Sequence, residues 1–502
     1  MSEILHRLTV LSPRNRNRRN AADCTQSTYR PTLASPYPAL PALPAPPALP
    51  ALPALPALVL CAAAFLIYSS LGLAAHRSLH SNAFDLSVFD YALWSTAASG
   101  PVAYVPMFRH SLFAQHFMPT LVLLSPLTRL FDGPAWLFVV QALFHAAASF
   151  LLYRFARRHA SNGVALALTA AFLFSRRAHG AATSVFYIES AVPLLVFGAL
   201  LARESRRLVL YWLLVVLALG CKEDVALYFA AFGIVLAVVE RDRRVGIATT
   251  ALALAWLAVA VRFAIPLWRG LYGLDQMNPF LEGRYGGIGS TVARTVSIQA
   301  ISRIVTVLSA TGFACLLAPA WAAVALPGML VNLAAASDTL QAALLGHYLW
   351  PILPWLFAAA AIGSGRLEGR ATHLGSPSSR WLPLVILLVA LIDLPLPRAI
   401  ARASWRQPDE ARELLRQLES VPRDASVLAQ PNLIPHLPRR LEMHSLGVYT
   451  AGQPEADYVL LTTVGDLWPF DTAEIAKRVD AYTADARYER LANGPLFVFR
   501  RR

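Results

Sequence analysis

Roughly eleven apolar runs, most of them near the ~20 residues that cross ~30 Å of hydrocarbon, divide the first four-fifths of the chain. Inside lipid a segment must satisfy its own backbone polar groups, so such runs can only become helices. The composition agrees. Of the 502 residues, 56% are hydrophobic and 15% charged, against about one-quarter charged in a soluble chain; mean hydropathy is +0.48. The expected fold class is an α-helical polytopic membrane protein with about 11 transmembrane helices. The runs fall at about 57–75, 134–153, 162–175, 186–202, 208–221, 225–239, 245–265, 302–318, 320–336, 348–364 and 381–396.

Charge gives these runs a direction. Arginine clusters at 154–158, 203–207, 241–244 and 366–380 separate alternate pairs of runs. Short basic loops stay on the cytoplasmic side, and all four clusters agree with one topology: amino terminus inside, residues 397–502 outside. Arg176 and Arg177 are exceptions, as are arginines in the long loops, which weigh little in this rule. The net charge of +14 therefore reports topology and not nucleic-acid binding. Richness in Ala, Leu, Pro and Arg fits a high-GC bacterial genome, which places the chain in a bacterial plasma (inner) membrane. Four cysteines, Cys24, Cys61, Cys221 and Cys315, show no metal-type spacing. The last three lie in or beside apolar runs and read as small fillers.

Three regions follow. Residues 1–56 are basic and then Pro-Ala-Leu-rich; proline every third residue removes helix donors and favours an extended form. They read as a disordered cytoplasmic arm, or equally as an upstream extension from a misassigned start codon. They lack the h-region of a cleavable signal. Residues 57–396 form the transmembrane region, with a polar-aromatic external loop at 76–133 and a Gly-rich loop at 266–298. Residues 397–502 read as a small extracytoplasmic α/β domain. In it, 408–420 is an amphipathic helix with Asp409 and Glu410 at its positive end, 425–429 and 457–463 are β-like, 472–483 is helical, and Asn493-Gly494 marks a hairpin within 487–500.

Nearly all isolated Asp, Glu, Lys and His beside the runs lie at the ends opposite the arginine clusters. Asp85 and Asp90 are set among Phe84, Leu86, Phe89 and Trp94. Carboxylates among aromatic rings have a raised pKa or a cation partner, and one of them could act as general base toward a hydroxyl. Helix capping, or a surface ion pair with Arg77 or Arg109, is the plainer alternative. Five residues on a helix is ~500°, so the two carboxylates would not share one line, whereas an extended or half-turn start could bring them together.

Lys222-Glu223-Asp224 stands between two runs with almost no loop. One charge at the bilayer centre costs roughly 2.5–3.5 kcal/mol, so three must lie at an interface or in a wet cavity. A charged turn explains them equally well. Yet Lys222 and Lys477 are the only lysines in an arginine-dominated chain, and a compact ammonium suits phosphate. His116, Glu189 and His347-Tyr348 lie at the same ends; each alone is more often a satisfied interfacial group. Asp, Glu and His together could hold a divalent cation, but no dedicated ligand spacing is present. Tyr285-Gly286-Gly287-Ile288-Gly289 lacks a strand-to-helix setting and reads as a loop, not a nucleotide cradle.

The run from Phe84 to Trp94, the step His116-Phe117-Met118-Pro119, the turn Lys222-Glu223-Asp224 and His347-Tyr348 before a Pro-containing run together resemble the domain of unknown function 2079 family of membrane proteins. The likeness covers about 60–400 and continues into the tail. Tyr187 and Glu189 stand where that family's pattern has Asp and His. The family in turn resembles the GT-C superfamily of membrane glycosyltransferases, which have many spans, an acidic residue early in the first external loop and an external C-terminal domain.

The resemblance implies transfer of a sugar from a polyprenyl-phosphate donor at the external face. Asp85 or Asp90 would be the base, and Lys222, with His347 or Arg109, would hold the phosphate. Glu223, Asp224, Tyr348, His116 and Glu189 would complete the substrate site. The implied partners are a lipid-linked sugar donor and the bilayer. A transporter or flippase for a lipid-linked or anionic solute is the rival, although no internal repeat is evident. A non-catalytic scaffold is a third. Reporter fusions check the sidedness: alkaline phosphatase joined after residue 502 is expected to be active and green fluorescent protein there dark, and the opposite pair would overturn the topology.

Overall fold

The computed structural model describes residues 54–81, 83–99, 103–275, 284–374, 380–403, 405–448, 455–492 and 494–502. Most of the expected arm, 1–53, and Asn493 lie outside the described residues.

Each of the eleven apolar runs holds a helix. Among the described residues, five helices are long and apolar enough to cross a membrane: α1 (Leu55–Arg77), α3 (Trp136–His159), α9 (Arg243–Leu271), α13 (Gly346–His373) and α14 with its continuation (Leu382–Arg402). The others are shorter: α4 (Asn162–Phe174), α6 (Val192–Glu204), α7 (Leu208–Leu219), α8 (Val225–Val238), α11 (Ile298–Leu308) and α12 (Pro319–Leu333). A helix of 13 residues is only about 20 Å long. These shorter helices end in 3₁₀ or bent segments, such as α5 (Arg176–Ala182) after the break at Ser175.

The helix ends gather into two rims. At one, Arg158 and His159 bond Glu204 at 3.1 and 2.7 Å, Arg203 meets Asp242 at 3.1 Å, and Ser161 N–H donates to Glu368. These are the arginine-cluster ends. At the other, Arg176 pairs with Asp393, while Arg177 donates to the Leu344 carbonyl and to Thr306. The two exceptions to the charge rule are thus ties between helix ends at the second rim. Glycine lets helices approach between the rims: a Cβ on Gly246 would meet the Gly233 carbonyl oxygen at 2.5 Å, and one on Gly365 the His159 carbonyl oxygen at 1.8 Å. Small residues at crossings are the usual means of close helix packing in membranes.

Two loops from the sequence have more structure than expected. Residues 76–133 fold into α2 (Ala83–Ser99), a two-stranded hairpin of β1 (Tyr104–Val105) and β2 (His110–Ser111), and 3₁₀ turns at 112–114 and 119–129. The Gly-rich loop contains α10 (Ile288–Thr295). Both were legible as polar and irregular, but their helices are held by tertiary contacts and not by a long apolar stripe.

The tail starts with α15 (Leu396–Arg402) and α16 (Asp409–Leu418). It then forms β3 (Val427–Ala429), β4 (Met443–Ser445), β5 (Tyr458–Thr462), α17 (Thr472–Ala484), β6 (Tyr488–Ala492) and β7 (Leu496–Arg501). The sheet order is β4-β3-β5-β7-β6, with β3 parallel to both neighbours and the other pairs antiparallel. Asp471 caps α17 in a reciprocal capping box with Glu474. One sheet face joins the core of the helical region through Val427, Ala429 and Leu460. The other packs Leu428, Val459 and Leu461 under Ile475 and Val479 of α17. The tail therefore shares a core with the membrane region.

An ion pair fixes that junction. Arg439 bonds Asp90 of α2 in bidentate fashion, Nε at 2.9 Å and Nη2 at 2.7 Å, and also donates to the Gly133 carbonyl. Asp90 is 3% exposed. Tyr91 OH accepts from Arg440 N–H, and Asp466 N–H donates to the Leu79 carbonyl. Removing one partner of a buried pair typically costs about 3–5 kcal/mol, because the other charge is left unpaired. Arg439→Met is expected to lower thermal stability in detergent by that amount, and Asp90→Leu with Arg439→Met to recover most of it; an unchanged single variant would show that the pair does not hold the tail.

Candidate functional site

At the second rim, four irregular connections bring side chains to one place. The bend between α1 and α2 puts Asp85 in the first turn of α2. Tyr187 and Glu189 come from the extended and 3₁₀ stretch before α6. The α7–α8 turn carries Lys222, Glu223 and Asp224. His347 and Tyr348 lie on a 3₁₀ turn at the head of α13, after Leu344 and Gly346 adopt φ of 51° and 60°. A left-handed leucine costs roughly 1–2 kcal/mol; the Arg177 bond to its carbonyl helps to hold it.

The contacts form a chain. Tyr187 OH donates to the Asp85 carboxylate. The Tyr187 ring stacks on His347, centroids 3.5 Å apart and 16° from parallel, and His347 lies 4.0 Å from Tyr348. Lys222 Nζ stands 5.5 Å from the centre of the Tyr348 ring and 3.0 Å from Glu189 Oε1. Glu189 is 1% exposed, and among the described residues neither its Oε2 nor Asp224 Oδ1 has a hydrogen-bond partner. His116 Nδ1 is 2.7 Å from Glu223 Oε1, and Phe117 N–H donates to Oε2. Asp85 is exposed at the edge of this otherwise buried cluster.

Electrostatics follow from this crowding. Burial raises the Asp85 carboxyl; the Tyr187 bond opposes it, Glu189 adds to it, and Lys222 and Arg284 pull it back without cancelling the rise. Burial alone would lower the Lys222 ammonium, but Glu189 and Asp224 outweigh it and hold the group well above its usual range. Burial would raise Glu223, but His116 and Lys222 keep it low. Asp224 goes the other way: burial, opposed by Lys222 and aided by Glu223 and Glu189, lifts it from 3.8 to about 6. Lys222 is thus the charge that lets neighbouring carboxylates coexist. Among the described residues, no group of three or more His, Cys, Asp or Glu is gathered as a metal ion would need.

Of the residues singled out in the sequence, Asp85, Glu189, Lys222, Glu223, Asp224, His116, His347 and Tyr348 meet here. Two do not. Asp90 is committed to Arg439; one and a half helical turns separate it from Asp85 and turn it toward the tail. Arg109 is exposed at the tip of the β1–β2 hairpin with φ of 59°, near Tyr104 and His444. Arg284 acts on Asp85 and Tyr348 in its place. It lies in the Gly-rich stretch, where no periodicity marked it. Tyr187 stood out only as a departure from a family pattern.

A helical membrane frame thus carries a cluster of acidic, basic and aromatic side chains at one rim. The fold is shared with a crystal structure of ArnT from Cupriavidus metallidurans bound to undecaprenyl phosphate, at a TM-score of 0.51 and 14% identity, over 88% of this chain and 97% of that one. By sequence, residues 75–494 match the model of the DUF2079 family, described as "predicted membrane protein", and the chain belongs to that family. No curated protein matches it in sequence.

The titration of Asp224 is measurable. A carboxyl whose folded pKa is raised contributes stability that is complete below its unfolded value and is lost as pH rises through the folded value. Relative to Asp224→Asn, the wild-type protein is expected to lose thermal stability between about pH 4 and about pH 6. A constant difference across that window would show that the carboxyl is not held in this environment.

Proposed function

We propose that the chain is a membrane glycosyltransferase that takes a sugar from a polyprenyl-phosphate donor at the extracytoplasmic face. About eleven helices cross the bilayer, with the amino terminus in the cytoplasm and the sheet-bearing tail outside. The observation that carries the proposal is the convergence of Asp85, Tyr187, His347, Lys222 and Glu189 on one accessible opening at the rim away from the arginine clusters. The ArnT-like fold supports it, and the undecaprenyl phosphate bound to that protein indicates the class of lipid.

In the proposed step, Asp85 accepts the proton of an acceptor hydroxyl. The oxygen attacks the anomeric carbon from the face opposite the phosphate, with inversion. The carbon–oxygen bond to phosphate breaks, and its electron pair leaves with the polyprenyl phosphate. Lys222 and Arg284 supply positive charge for the departing phosphate. Glu189, bonded to Lys222, fixes the ammonium in place. A base with a raised pKa matches this role, since proton transfer is most efficient when the pKa lies near the working pH. Tyr187 orients the carboxylate. Groups at one rim, and not at the midplane on broken helices, favour transfer over transport.

General-base removal typically costs 10²–10⁴-fold. Asp85→Asn is expected to reduce product by about 10²-fold or more in a deletion strain, read as the lipid-linked sugar and glycan profile at equal expression. Full activity in that variant would end the carboxylate mechanism.

A further inference from the structure

Outside this cluster, a second set of rings lies on the same rim and no step above uses it. Trp468, Phe84, Phe108, His110, Tyr272 and Tyr104 form a continuous strip. Phe84 packs on both Trp468 and Phe108, at 6.4 and 5.9 Å between centroids. Phe108 stacks on His110 at 5.4 Å. Tyr272 follows at 6.3 Å from His110 and stacks on Tyr104 at 6.3 Å, 29° from parallel. The strip is assembled from three distant parts of the chain: the first external loop, the outer end of α9 and the tail.

Phe84 belongs to the core at 4% exposure, and the other members lie at its edge. Trp468 is 48% exposed, and Phe108, His110, Tyr104 and Tyr272 are all half-buried. Charged ends of both signs flank them. Arg109, between Phe108 and His110, is exposed, as is Glu442, whose carboxylate lies 3.8 Å from His444 Nε2. Both charges act on Tyr104.

This chemistry selects a ligand class. A phosphate or polyanion would want one sign of charge, and here Arg109 and Arg269 are matched by Glu442 and by Asp466, which accepts from Trp468 N–H. An acyl chain would want a surface without ions. A sugar ring presents C–H faces to aromatic planes and hydroxyls at its edge to carboxylate and guanidinium. We propose that the strip from Trp468 to Tyr104 is a saccharide-binding site. It rests on the transfer reading in one respect: Phe84 of the strip is the residue before Asp85 on α2, and the bound saccharide would be the acceptor. The acceptor is thereby assigned as a carbohydrate.

The test uses full-length protein in lipid nanodiscs and saturation-transfer NMR with soluble disaccharides of glucose, galactose, mannose and N-acetylglucosamine. At least one is expected to bind. Tyr272→Ala and Tyr104→Ala should each weaken its Kd about tenfold, the scale of one aromatic contact. Tyr272→Phe, which keeps the ring, should bind like wild type. No binding by any disaccharide, or equal binding by the alanine variants, overturns the proposal. So does quenching of Trp468 fluorescence by brominated lipid that is lost in Trp468→Phe, which would mark an interfacial aromatic belt. Retained transfer by Asp85→Asn with intact sugar binding would sink the catalytic reading alone.

Discussion

A backbone that leaves the helix must find new partners for its N–H and C=O groups. That constraint organises this structure. The chain leaves the helix at 175–191, 220–224 and 334–349, and these stretches meet at the same rim. The freed groups are satisfied there: Arg177 takes the Leu344 carbonyl, Gln141 meets the Ser184 carbonyl and the Tyr187 N–H, and Glu223 accepts from Phe117 N–H. The irregular backbone that builds the cavity is also what brings reactive side chains into it.

Charge divides that rim into two uses. The Asp90–Arg439 pair is dry, bidentate and surrounded by further acceptors, and it docks the tail. The Lys222 cluster is only partly satisfied. Among the described residues, Glu189 Oε2 and Asp224 Oδ1 have no hydrogen-bond partner, and Asp85 is accessible. The two carboxylates of α2, five residues apart, show how a helix separates roles: one turns to the tail, the other to the cavity.

Much of this was legible in sequence. Apolar run length located the helices, and the contrast between arginine clusters and isolated acids separated the two rims before any coordinates. Asp85, Lys222, Glu189 and His347 stood out because titratable groups beside an apolar run are costly to keep. Arg284, Arg439 and the role of Tyr187 were not legible. Arginine is common in this chain, and nothing local distinguishes one that meets a carboxylate 349 positions away. The same limit hid the aromatic strip, whose rings come from three separate regions.

The sequence by itself determined the helical class, the apolar segments and the two-sided distribution of charge, because burial in hydrocarbon acts on each residue where it stands. Tertiary structure decided which charges became partners and which stayed available. Pairing depends on distances across the bundle, and a turn of one helix was enough to send Asp90 into a buried clamp and leave Asp85 facing the opening.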